Sequence, residues 1–213
     1  GTAVFTGHRV NTYVLGKAVP PDPGFTDQQD YVNVAEFMKG LGKSVGSLTT
    51  SFINDATPAA FAAHELHRDY KAQILDDIFI RARPNLVWGG GAVPYSMSPA
   101  YAIDKGYTVA TNWTQLQAVP TNSADIYSCG LFGGSTMGYE YDGMGGLPHL
   151  SDMTARALAI LQNDADGFVL MVEGGEIDLA CHLGDINRLT GEMVEFDKTV
   201  SVVTNWAAGR SDT

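Results

Sequence analysis

The sequence predicts an α/β fold built on a largely parallel central sheet with helices on both faces. Two patterns support this. The run Phe168 to Val172 is apolar without polar alternation, as expected of a strand covered on both sides. Elsewhere short apolar runs alternate with helical patterns: Ile186, Leu189, Met193, Phe196, Val200 and Val203 recur at spacings of three and four.

The elements follow in order along the chain. Tyr31 to Leu41 reads as helix and Ser44 to Thr50 as strand. Thr57-Pro58 is a helix start, with threonine as N-cap and proline as first helical residue. That helix is expected to run to Tyr70, with Lys71 to Ile80 helical after a break. Asn85 to Trp88 is a buried strand closing on Gly89, Gly90 and Gly91. Gly106 to Thr111 is a strand, and a short helix starts at Thr111 or Asn112. Ala124 to Phe132 is mixed, and Gly133 to Pro148 is a glycine-rich loop. Ser151 is expected to cap a helix reaching Gln162. Asn163 to Gly167 then turns into the Phe168 strand. The stripe from Ile186 to Val203 is expected to pack on the sheet.

Composition bounds the function. At 213 residues and 45% hydrophobic, the chain suits one domain with a sizeable core, expected to span residues 1–213. The formal net charge of −11 argues against nucleic acid, which needs a basic surface. An anionic substrate must therefore be attracted locally, by metal ions and arginine. No stretch reaches the ~18 apolar residues of a membrane span. The two cysteines, Cys129 and Cys181, leave a disulfide open without signalling one.

The segment Gly167 to His182, GFVLMVEGGEIDLACH, carries the chemistry. Its apolar strand delivers the Glu173 carboxylate at its carboxyl end, where ligands of open α/β sheets bind. Gly174 and Gly175 permit a tight turn. If helix begins near Ile177, Asp178 and His182 form an i, i+4 pair on one face. A carboxylate and an imidazole suit Zn²⁺. The same residues also fit a helix cap and an ordinary histidine, and spacing alone leaves both readings open. Cys181 is one residue off that face, which disfavours it as a ligand.

VEGGEIDLACH, with GEMVEFDKTV after it, resembles the alkaline phosphatase family. DATPAAFAAHELHR, from Asp55 to Arg68, resembles a second stretch of that family. Thr2-Ala3-Val4-Phe5-Thr6-Gly7 resembles the T-A-x-x-T-G that follows its nucleophilic serine. Gly89-Gly90-Gly91 and Leu131-Phe132-Gly133 are weaker echoes. The matches occur in family order along the whole chain.

The resemblance implies metal-dependent hydrolysis of phosphate monoesters through a phosphoserine. It implies that Asp178 and His182 hold Zn²⁺ and that Thr57 and Glu173 hold Mg²⁺. It places Asp55 behind the magnesium-bound water and makes Arg68 the catalytic, phosphate-binding residue, whose fork fits two phosphate oxygens. Local reading alone leaves Thr57 as a helix cap and Arg68 as a surface arginine. His64 is assigned to packing and His67 to the surface. Leu179 departs from the family, where lysine or histidine is frequent, so altered Mg²⁺ preference or weaker phosphate contact is expected.

The family's Asp-Ser-Ala nucleophile motif and its later Asp-His zinc motif do not occur in these residues. The chain therefore reads as the middle of an enzyme, inactive on its own. The resemblance further implies a periplasmic or extracellular location and a homodimer. A related metal phosphodiesterase or sulfatase, or a non-catalytic metal- or phosphate-binding protein, stays open as an alternative.

Overall fold

The computed structural model describes residues 1–18, 29–91 and 97–213. Helix α1 spans Thr2–Thr6 and α2 Val34–Gly40, followed by strand β1 (Ser44–Phe52) and helix α3 (Ala56–Ala62). Helix α4 (Lys71–Asp76) runs directly into a π-helical turn, Asp77–Ala82. Then come β2 (Leu86–Gly90), α5 (Pro99–Asp104), β3 (Thr108–Ala110), α6 (Trp113–Ala118) and β4 (Ser128–Phe132). A 3₁₀ turn at Glu140–Asp142 precedes α7 (Leu150–Leu161), β5 (Phe168–Glu173), α8 (Gly175–Leu183) and α9 (Ile186–Ala207).

The five strands form one sheet in the order β3-β4-β2-β1-β5, and every pairing is parallel. Alternation along the strands separates two cores. Val45, Val87, Cys129, Leu131 and Met171 face a cluster with Ala59, Phe61, Ile74, Ile78 and Phe79. Leu48, Leu86, Trp88 and Phe132 face a second cluster with Leu116, Leu150, Met153 and Leu161. Helices thus cover both faces, because parallel crossovers place them there.

Several elements differ from the sequence reading. The helix expected from Pro58 to Tyr70 ends at Ala62, where Ala63 adopts extended backbone. Its N-cap is Asp55, so Thr57 and Pro58 lie inside the first turn. The continuation is not helical because it is held elsewhere: Leu15 and Glu65 exchange backbone hydrogen bonds, and the Arg68 N–H donates to the Tyr13 carbonyl. The deepest strand is β1, buried from Ser44 to Ser51, whereas β5 is an edge strand of the described sheet and mostly half-buried. Helix α8 starts at Gly175, two residues before Ile177.

The largest correction concerns α9. Of the expected stripe, Phe196 packs against the second core, whereas Ile186, Met193, Val200 and Val203 are exposed. The buried side is Glu192, Glu195 and Thr199. Their burial has a hydrogen-bonding reason, since helix starts leave N–H groups needing acceptors. Glu192 Oε1 accepts from the Glu140 N–H at 2.8 Å, and Glu195 Oε1 from the Ser151 N–H at 2.9 Å. Helix α7 is accordingly capped by a carboxylate from α9, not by the Ser151 hydroxyl, and His149 is its N-cap residue. Cys129 is buried, Cys181 is exposed, and neither forms a disulfide.

Candidate active site

Because all five strands are parallel, their carboxyl ends share one edge of the sheet. β1 and β5 are neighbours there, with Thr49 paired to Glu173. The Thr49 hydroxyl donates to Glu173 Oε2 at 2.6 Å, and the Thr57 hydroxyl from α3 faces the same carboxylate. Gly175 lets α8 start against β1: a Cβ there would lie 2.6 Å from the Ser51 Cβ. Close approach, rather than a positive φ, is what this glycine provides.

A second carboxylate stands beside the first. The Ser51 hydroxyl donates to Asp55 Oδ2 at 2.8 Å, and Arg68 Nη2 donates to Asp55 Oδ1 at 2.6 Å. Lys71 Nζ lies 3.7 Å from Asp55 Oδ1 and donates to the Asn54 carbonyl at 3.0 Å. The chain Glu173–Thr49–Ser51–Asp55–Arg68 is continuous, since the Ser51 N–H also donates to the Thr49 hydroxyl oxygen at 3.0 Å.

The two carboxylates are tuned in opposite directions. Burial pushes Glu173 up, and the charges of Asp55 and Asp178 add to this against the Thr49 and Thr57 hydroxyls. Burial also acts to raise Asp55, but Ser51, the Ala56 N–H, Lys71 and Arg68 outweigh it and hold the carboxyl low. Burial pushes Lys71 down. Glu173 is thus a half-buried carboxylate facing hydroxyl oxygens, with Asp55 and Asp178 within electrostatic reach. Hard oxygens of this kind suit Mg²⁺.

Asp178 and His182 do fall on one face of α8, with Oδ2 and Nε2 3.4 Å apart. Both are highly exposed, at 79% and 76% of their side chains. Asp178 lines an open cavity of ≈ 460 Å³ together with Thr57, Glu173, Cys181, Phe5 and Phe196. His182 is one turn further along α8. Arg68 lines another recess, of ≈ 330 Å³, with Gly1, Thr2, Tyr13 and Ala56. Helix α1 packs beside both openings, its Phe5 edge-on to Phe61 of α3.

The model of the family described as alkaline phosphatase matches residues 1–85 and 100–213. This chain belongs to the alkaline phosphatase family. Alkaline phosphatase 4 of Bacillus subtilis (strain 168) is 32% identical over 216 residues, covering 97% of this chain and 44% of that protein. Alkaline phosphatase 3 of the same organism is 30% identical over 186 residues, covering 85% of this chain and 40% of the relative. The crystal structure of a cold-active alkaline phosphatase from Shewanella sp. superposes with a TM-score of 0.84 at 28% identity, covering 97% of this chain and 49% of that one. The Thermus thermophilus alkaline phosphatase gives 0.83 at 26% identity, covering 97% and 43%. The chain therefore spans less than half the length of each of these alkaline phosphatases.

The alkaline phosphatase fold brings together most of the residues singled out in the sequence. Thr57 meets Glu173, Arg68 meets Asp55, and Asp178 shares a cavity with Thr57 and Glu173. His64 is a buried packing residue, its ring nitrogens bonded to Glu36, Asn33 and the Gly16 carbonyl. His67 is partly exposed and stacks on Tyr13. Thr49, Ser51 and Lys71 were not singled out. The polar run Thr49-Thr50-Ser51 at the end of a buried strand was a usable signal for the first two. Nothing local marks Lys71.

Proposed function

We infer that the protein carrying this chain hydrolyses phosphate monoesters in a metal-dependent reaction through a phosphoserine intermediate. The observation that carries this reading is the continuous polar chain from Glu173 to Arg68 along the carboxyl edge of the sheet. It sets a half-buried carboxylate for a hard cation and a guanidinium for an anion along one edge of the sheet.

In this reading Asp178 and His182 hold Zn²⁺, while Thr57 and Glu173 hold Mg²⁺ with Asp55 behind its water shell. When bound, the ions stabilise charge on the attacking and leaving oxygens and tune the protonation of serine and water. The chain's own residues bind and orient. Arg68 clamps two phosphoryl oxygens with its fork, fixing the phosphorus for in-line attack. Asp55 keeps that fork pre-positioned while the site is empty. Thr49 holds the Glu173 carboxylate at a fixed angle. The serine of the Asp-Ser-Ala motif, which is not among these residues, attacks phosphorus and expels the alcohol. Water then releases phosphate from the phosphoserine.

Among the described residues no helix is long and apolar enough to cross a membrane. A periplasmic or extracellular location and a homodimer belong to the same proposal, tested by fractionation and by light scattering.

The deciding experiment uses the purified full-length protein. p-Nitrophenyl phosphate should be turned over at alkaline pH far faster than the corresponding diester or sulfate. EDTA should abolish turnover, and Zn²⁺ with Mg²⁺ should restore it. Faster diester or sulfate hydrolysis would overturn the monoesterase reading. Zinc or phosphate binding without any turnover would replace it with a binding protein.

A further inference from the structure

A second group of ligand-bearing side chains lies on different residues from that site. Glu140 comes from the 3₁₀ turn, His149 from the N-cap position of α7 and Glu195 from the buried side of α9. One potential ligand atom from each lies within 4.8 Å of the others. His149 Nδ1 is 2.9 and 2.8 Å from the two Glu140 oxygens. Two nearby segments and the distant helix α9 thus bring one imidazole and two carboxylates close together.

The surroundings are short of positive charge. Glu192 and Glu195 are both buried. Glu192 already accepts the Glu140 N–H and lies within electrostatic reach of Glu140, Glu195 and Glu176. Glu176, on the first turn of α8, is fully buried, with the Thr136 and Tyr139 side chains against its carboxylate. The cations nearby are engaged or peripheral. Arg188 is paired to Asp142 at 2.8 Å, and Lys198, itself mostly exposed, is 3.3 Å from Glu195 Oε2. Buried carboxylates are stabilised by hydrogen bonds, by protonation or by a bound cation, and a divalent ion would balance several of them at once.

We propose that Glu140, His149 and Glu195 form a site for a divalent transition-metal ion such as zinc, structural in role and separate from the proposed phosphatase centre. One nitrogen and two carboxylates match the donor preferences of Zn²⁺. Ligand atoms about 2.1 Å from an ion sit up to roughly 4 Å apart, so a small closing movement of the present arrangement suffices. The ion would replace the proton shared between His149 and Glu140 and displace Lys198 into solvent. His149 is 45% exposed, which leaves an entry path and room for a water ligand. Bound there, the ion would tie the 3₁₀ turn, the start of α7 and α9 together.

Equilibrium dialysis of the full-length protein at fixed free Zn²⁺ tests this by counting zinc per chain. His149→Ala and Glu140→Gln should each bind one equivalent less than wild type. Asp178→Asn should lose zinc elsewhere yet keep that equivalent. Equal zinc in wild type and in folded His149→Ala and Glu140→Gln would overturn the proposal. A readout on wild type covers the case in which the variants do not fold. Zn²⁺ should slow diethylpyrocarbonate modification of His149 severalfold, mapped by mass spectrometry, and no protection would equally overturn the site. Neither result depends on phosphatase turnover, so the failure of one reading leaves the other intact.

Discussion

Arg68 Nη2 lies 2.6 Å from Asp55 Oδ1, joining a residue beyond the end of α3 to the residue that caps its start. The Arg68 guanidinium is therefore held by a carboxylate. In the proposed function, phosphate would compete with Asp55 for the guanidinium. Arg68→Ala should lower kcat/KM of the full-length enzyme by about 10²-fold. Arg68→Lys should recover little of it, because an ammonium cannot bind two oxygens in a plane. Asp55→Asn should tighten inhibition by inorganic phosphate. Unchanged inhibition in Asp55→Asn would show that the pair does not restrain Arg68.

Glu173 is raised by its burial and by Asp55 and Asp178 around it. A bound Mg²⁺ would reverse that by favouring the ionised form. Glu173→Gln, and to a lesser degree Thr57→Val, should raise the Mg²⁺ concentration needed for half-maximal activity by roughly 10–100-fold. A Mg²⁺ titration at saturating Zn²⁺ reads this directly. An unshifted midpoint in Glu173→Gln would remove Glu173 from the magnesium site.

Leu179 is half-buried on α8, one residue after Asp178. It offers neither charge nor side-chain hydrogen bond, where the family resemblance leads one to expect lysine or histidine. Leu179→Lys or Leu179→His should shift metal dependence or inhibition by phosphate without loss of the reaction. If both variants match wild type in both measurements, this position does not reach the site.

His64 supplies a pH test outside the proposed metal sites. Burial acts to lower its pKa, but Glu36, 2.8 Å away, and the Gly16 carbonyl outweigh burial and raise it. Glu36 is itself lowered: burial acts to raise it, and His64 and Arg81 outweigh that. A raised histidine contributes stability fully below its ordinary value of about 6.5, and that stability is lost as pH climbs through the folded value. A lowered glutamate contributes above about 4.5, and its share is lost as pH falls through its folded value. The pair therefore stabilises most between these limits. Urea unfolding from pH 6 to 9 should show wild type losing stability while His64→Gln changes less. Parallel slopes would rule the pair out as the source.

Gly175 offers a packing test. Its would-be Cβ meets the Ser51 Cβ at 2.6 Å and the Ser51 nitrogen at 2.9 Å. Gly175→Ala should cost roughly 1–3 kcal/mol by pushing α8 away from β1. If Asp178 and His182 hold zinc as proposed, it should also weaken zinc binding, because both ride on α8. A thermal midpoint equal to wild type would mean that the helix start yields without strain.

Local pattern carried much of this molecule. The strand ending at Glu173 follows from an unbroken apolar run, and the one-face pairing of Asp178 with His182 from the 3.6-residue helical period, both of which sequence displays directly. The start of the helix after Asp55 was legible too, within two residues. Its end was not, because Ala63 to Arg68 turns away to bond with residues 13–15, some fifty positions earlier. The buried side of α9 was misread for a related reason. Its apolar stripe is genuine, but the N–H groups of Glu140 and Ser151 recruit Glu192 and Glu195 inward.

The sequence by itself determined the α/β class, the family and the identities of the metal- and phosphate-binding candidates, because composition, periodicity and short motifs are properties of neighbouring residues. Tertiary structure alone decided that Thr49 holds Glu173, that Arg68 rests on Asp55, and that Glu140, His149 and Glu195 converge. Each depends on the register of parallel strands or on how separate helices dock. Those are set by how separate segments pack, and neither a period nor a short motif records that packing.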